Sequence, residues 1–189
     1  LSTGNGRCNL TNYKMEEDCY RCGRKDFPMQ VIRGFDVKET LDLFMGLGIV
    51  PKDRNGYVYP NSDQAASVLD VLRTELERLK VRILLSCQIE KIEKKKNGGF
   101  LVHTDQGKVE TDALILAAGS KAAPSTGSDG SGYEYARQLG HSVIKPLPAL
   151  VQLRCQGNLY KQMAGIRTEA EVRLQADGIT LASDRGELQ

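Results

Sequence analysis

The 189 residues are 40% hydrophobic and 26% charged, ordinary shares for a soluble globular chain, and give material for one large domain or one plus part of another. Lys and Arg number 26 against 24 Asp and Glu, so the formal net charge of +2 gives no electrostatic case for nucleic acid. No apolar stretch approaches the roughly 20 residues of a membrane helix, and five cysteines, an odd number without a secretory signal, point to free thiols in a reducing, cytoplasmic compartment.

The chain opens on a glycine-rich loop, 1–12, with no strand before it to aim the turn. Gly4, Asn5, Gly6, Arg7, Cys8 and Asn9 concentrate close backbone approach, amide donors and one fixed positive charge. That chemistry meets an anionic or heteroaromatic ligand. With an abrupt end at Gly186-Glu187-Leu188-Gln189, the sequence reads as an internal fragment of a larger protein. Residues 13–35 are polar and mixed. They include Cys19 and Cys22 at CxxC spacing, for which structural zinc, a redox dithiol and incidental thiols all stand open.

Asp36 and Glu39 form a capping box, and Leu41, Phe44, Met45 and Leu47 follow at helical spacing up to a stop at Gly48. Gly56–Pro60 reads as a short strand. Asn61 or Ser62 is expected to cap a second helix with Ala65, Val68, Leu69, Leu72, Leu76 and Leu79 on one face, ending near Lys80. An antiparallel meander is expected from about Val81 to Thr111. The apolar run Val81–Leu85 leads into it, Lys91–Lys96 makes a solvated hairpin end before Asn97-Gly98-Gly99, and Asp105-Gln106-Gly107 turns the chain again. His103 lies in the alternating strand, and His141 follows a helix-ending glycine. Neither marks a catalytic triad.

Residues 113–118 form a continuous apolar run, the pattern of a strand buried on both faces of a parallel sheet. A second glycine- and serine-rich loop, 120–132, then precedes a helix at about Tyr133–Leu139, stopped by Gly140. Strand, glycine-rich loop and helix is how an open α/β sheet builds an anion site, although such a loop also serves as a plain connection. The Pro146-Leu147-Pro148 linker leads into alternation at 151–154, 170–174 and 178–182. The organisation read from this is a partial α/β domain over 1–145, with a helical segment at about 13–50, and the start of a β-rich insert over 146–189.

Four segments carry a resemblance to a known family: TGNGRCNLTN at 3–12, YPNSDQAASVLDVL at 59–72, ALILAAGSKAAPSTGSDGSGYEYARQLGH at 113–141 and PLPALVQL at 146–153. Together they resemble the BaiN/RdsA-type NAD(P)/FAD-dependent oxidoreductases, the aminoacetone-oxidase-like flavoproteins. The resemblance implies a truncated three-layer FAD/NAD(P)-binding domain whose pyrophosphate-binding βαβ unit lies upstream of this segment. It implies FAD as cofactor, NAD(P)H as a possible reductant and a small molecule as substrate. It puts Gly4, Asn5, Gly6, Arg7, Cys8 and Asn9 at the flavin, Ile89 backbone at the adenine, and Ala117, Ala118 and Gly119 at the pyrophosphate or ribose. Many members have a second glycine where this chain has Ser120. No catalytic acid or base is marked by spacing, and the segment alone is expected to hold FAD weakly or not at all. The rival expectation is a nucleotide-binding regulatory module, or a fragment without cofactor.

Overall fold

The computed structural model describes residues 6–148, 156–157, 162–163 and 165–188. It divides into two compact units, Leu1–Val143 and Ile144–Gln189. Among the described residues no helix is long and apolar enough to cross a membrane.

The first unit is mixed α/β. Strands β1 (Thr11–Asn12), β2 (Pro51–Arg54) and β3 (Tyr57–Pro60) form an antiparallel sheet in the order β1-β3-β2. The β2–β3 hairpin turns on Asn55 and Gly56, both at positive φ (55° and 91°), the geometry of a type I′ turn. Val58, at the centre of the sheet, is fully buried, which contributes about 1.5–3 kcal/mol. Its carbonyl accepts from the Leu10 amide at 2.8 Å.

Helix α1 (Phe27–Ile32) lies in the segment 13–35 left open by the sequence, and α2 (Val37–Gly46) follows where the sequence reading expects it. The capping box at α2 forms as read: Asp36 accepts from the Glu39 amide and Glu39 accepts from the Asp36 amide. Gly48, at φ +94°, ends the helix, and the buried Ile49 donates to the Phe44 carbonyl.

Helix α3 (Ala65–Arg78) starts later than expected. Neither Asn61 nor Ser62 caps it. Ser62 Oγ instead accepts from the Gln64 amide at 3.3 Å and bonds Ser67 Oγ. The first helical amide, of Ala65, donates to the Gly6 carbonyl at 2.7 Å, so the glycine loop itself takes the capping role. Only Ala65 and Val68 of the apolar face are buried, because α3 packs on β3 by its first turns. Leu72, Leu76 and Leu79 are exposed.

The meander is narrower than expected: β4 (Ile89–Lys94), β5 (Phe100–Thr104) and β6 (Gly107–Thr111). Val81–Leu85 is an irregular, exposed segment that joins no strand ladder among the described residues, although the Leu85 carbonyl accepts from Gln106 Nε2. Ile92 and Val102, paired across β4 and β5, make the core here. Residues 113–118 form no strand, contrary to the sequence reading, and Ile115 is 90% exposed. A strand needs ladder partners for its amides and carbonyls, and no described segment lies beside this one to supply them. Helix α4 (Ser131–Gln138) begins two residues before the expected start. In the second unit β7 (Thr168–Ala176) and β8 (Ile179–Leu188) pair as a hairpin turning on Asp177-Gly178. The alternation at 151–154 lies outside the described residues.

Asp63 fixes the connection into α3. It receives Lys52 Nζ at 3.0 Å and Arg54 Nη2 at 2.6 Å, which hold its carboxyl below the ordinary carboxylate value. A carboxyl lowered by folding stabilises the fold above its unfolded pKa, and that contribution is lost as pH falls through the lowered value. Asp63→Asn is therefore expected to flatten the acid limb of the stability–pH curve. Thermal melts from neutral pH to below pH 3.8, the ordinary value, check this. Parallel curves for the two proteins would contradict it.

Candidate nucleotide site

The predicted site residues fall into two groups. The first surrounds the start of α3. Gly6 and Cys8 both have positive φ, 76° and 61°, so the loop doubles back over two residues. Asn9 pins it: its side-chain amide donates to the carbonyls of Thr11 and Val58, each at 3.2 Å. The Gly6 carbonyl is tied to Ala65. These contacts use the loop's carbonyls and the Asn9 side chain. The main-chain amides of Gly6, Cys8 and Asn9 find no acceptor among the described residues. Arg7 and Cys8 are half-buried, and Cys8 is a free thiol. Gly4 and Asn5 lie outside the described residues.

The second group surrounds the start of α4. Ala117, Ala118 and Gly119 are exposed. Gly119 has φ +75°, and a Cβ there would stand 2.7 Å from Ser128 Oγ. Its glycine is thus required by the chain's own loop. A Cβ on Gly132, the second residue of α4, would meet Ala118 Cβ at 3.1 Å. Asp129 accepts from the Ser131 amide at 2.9 Å, and that bond lowers its pKa. Ile89 joins this group through its carbonyl, which accepts from Tyr135 Oη at 2.6 Å and ties α4 to β4. That carbonyl is already engaged within the chain. No hydrogen bond between described residues links the two groups.

Sequence reasoning missed Tyr135, whose long-range bond to Ile89 leaves no local pattern. It also missed the capping of α3 by Gly6, although the poor cap at Gln64 is a visible cue. Cys19 and Cys22 are exposed free thiols. Among the described residues no group of three or more His, Cys, Asp or Glu could hold a metal ion. His103 bonds Glu93 at 2.8 Å within the meander.

What the geometry provides is a tightly turned, amide-rich loop anchored to a sheet and a helix start, with a second glycine-bearing loop at another helix start. Such loops recur where Rossmann-type domains meet nucleotides. The model of the HI0933-like protein Rossmann domain matches residues 1–182. The chain is 46% identical over its full length to the 3-dehydro-bile acid delta(4,6)-reductase of Clostridium scindens, covering 46% of that protein. It is 26% identical over 164 residues to the ribosomal RNA dihydrouridine synthase of Escherichia coli, covering 86% of this chain and 40% of the relative. It is 24% identical over 155 residues to the Haemophilus influenzae protein of the same name, covering 80% and 38%. The chain therefore spans less than half the length of these relatives. It belongs to the HI0933-like family of Rossmann-domain proteins.

Proposed function

We propose that this chain forms part of the flavin site of an FAD-dependent oxidoreductase. In that reading NAD(P)H is the reductant and the substrate is an apolar, carboxylate-bearing small molecule of the bile-acid kind. The observation that carries the flavin assignment is the loop at 6–9, locked by Asn9 and Ala65, in which the amides of Gly6, Cys8 and Asn9 find no acceptor among the described residues. The family membership and the 46% identical reductase support the reaction and substrate class. The more distant RNA-directed relatives, at 26% and 24% identity, and a net charge of +2 give less support to an RNA substrate. The segment from residue 146 onward is read as the start of a β-rich insert domain.

The donor set fits the group. The main-chain amides of Gly6, Cys8 and Asn9 would meet its polar edge, and Arg7 would place a fixed positive charge beside them. FAD, when bound, supplies the hydride chemistry. The chain's own residues bind, orient and bias charge: Asn9 holds the loop in shape, and Arg7 favours negative charge on the ring system. Cys8 is a small side chain filling space in the turn.

Redox titration of the full-length protein tests this. Arg7→Ala is expected to move the flavin midpoint potential to more negative values, because a cation that stabilises added negative charge is gone. Unfolding should move by under about 1 kcal/mol, since a half-buried loop arginine contributes little core area. An unchanged potential with a large loss of stability would assign Arg7 to an ion pair that fixes the loop, and would remove it from the flavin site.

A further inference from the structure

A groove of about 640 Å³ lies between α1, α2 and the segment following β1. This is within the size range of small-molecule sites. Its apolar walls include Met15, Met29, Ile32, Leu41 and Met45. Three of the chain's four methionines thus line one cleft, and the flexible, polarizable thioether suits a bulky apolar guest.

The charged groups around it are unequal. Lys38 is paired with Asp42 at 2.5 Å, and Asp36 is engaged in capping α2. Arg33 lies just past the end of α1; its amide donates to the Met29 carbonyl, but its guanidinium has no hydrogen bond or ion pair among the described residues. The uncompensated charge on the rim is a guanidinium, whose fork matches a carboxylate.

The groove adjoins the glycine loop along the chain, through β1. Tyr13, which lines it, directly follows Asn12 of β1, and β1 continues the loop at 6–10. Helix α2 packs against both β1 and β2. Helix α1 has six residues, a wall of about 9 Å. That is short for docking a partner helix of several turns but adequate for a small molecule.

We infer that this groove is the substrate site, taking the apolar body of the molecule on Met15, Met29 and Ile32 and its carboxylate on Arg33. This rests on the reductase reading above and adds to it the location of the substrate and the residue that selects its charge.

The test uses full-length protein with its flavin, titrated calorimetrically with deoxycholate below micelle-forming concentrations and, separately, with the neutral methyl ester. Deoxycholate is expected to bind the wild type. Arg33→Gln should weaken it about tenfold, the loss of one charge-assisted contact, and leave the ester unchanged. Met29→Glu should weaken both probes. Circular dichroism and the visible flavin spectrum establish that each variant is folded and loaded. Unaltered deoxycholate affinity in both variants would overturn the groove assignment while leaving the flavin reading intact. Absence of binding to the flavin-loaded wild type, as when another part of the protein covers the groove, would overturn it too. A wild type that holds no flavin would instead sink the reductase reading itself.

Discussion

Alanine at Gly99 is expected to destabilise the meander by about 2–4 kcal/mol, combining a left-handed backbone penalty with overpacking. Gly99 has φ +76°, and a Cβ built there would stand 2.5 Å from the Thr111 carbonyl oxygen and 3.3 Å from Asp112 Cα. Both neighbours are main chain, at the end of the β5–β6 ladder where Phe100 pairs with Thr111. They cannot move aside as a flexible side chain would. Gly98 supplies the internal control. Its φ is +93°, but nothing lies within 4 Å of its Cβ direction, so Gly98→Ala should carry only the backbone penalty of about 1–2 kcal/mol. Amide exchange in β5 and β6 of the full-length protein under mild denaturant measures the difference. Equal losses for the two variants would show that the close approach to Thr111 has no energetic weight.

Removing the Asn9 side chain is expected to cost most in function. Asn9→Ala deletes the amide that reaches both Thr11 and Val58. Net loss of such hydrogen bonds destabilises by about 1–2 kcal/mol, all of it localised to the loop. The Val58 carbonyl keeps the Leu10 amide, so the sheet should survive. The loop at 6–8 loses the contact that fixes its amides, and flavin affinity is expected to fall at least about tenfold, the effect of some 1.4 kcal/mol. Asn9→Asp is the more severe variant. It is nearly isosteric but turns a carboxylate toward two carbonyl oxygens, where no donor remains. Fluorescence titration of apoprotein with FAD separates the outcomes. Wild-type affinity in Asn9→Asp would show that the side chain does not set the loop's binding geometry.

Local signals in the sequence were reliable where the chemistry is local. The Asp36–Glu39 box, the stop at Gly48, the turn at 97–99 and the end of α4 at Gly140 each depend on a few adjacent residues. The Asn55-Gly56 turn was just as local, yet β2 went unread because Pro51, Lys52, Asp53 and Arg54 lack a strand-like side-chain pattern. It is held as a strand by pairing with Tyr57–Pro60, not by propensity. The opposite error came from 113–118. Its apolar run has the pattern of a buried parallel strand, but a strand exists only through neighbours, and the described chain provides none beside it. The same applies to Val81–Leu85 and to the exposed Leu72, Leu76 and Leu79. For the site, composition drew attention to the loop at 3–9. The bonds that shape it reach 49 residues ahead from Asn9 to Val58 and onward to Ala65, and nothing in the spacing of the sequence announces those partners. Tyr135 and Ile89, 46 residues apart, are joined in the same unannounced way.

The central claim is that the anchored glycine loop serves a flavin. It is tested most directly by purifying the full-length protein, releasing its chromophore by denaturation and identifying and counting what comes off, then reducing the intact protein anaerobically with NAD(P)H. The expected result is one FAD per chain, bleached on reduction and restored by an apolar carboxylate-bearing substrate that carries a ketone-conjugated C=C bond, which takes the hydride and a proton and is reduced. A colourless protein that takes up no added FAD would contradict the account and favour a nucleotide-binding module without redox chemistry.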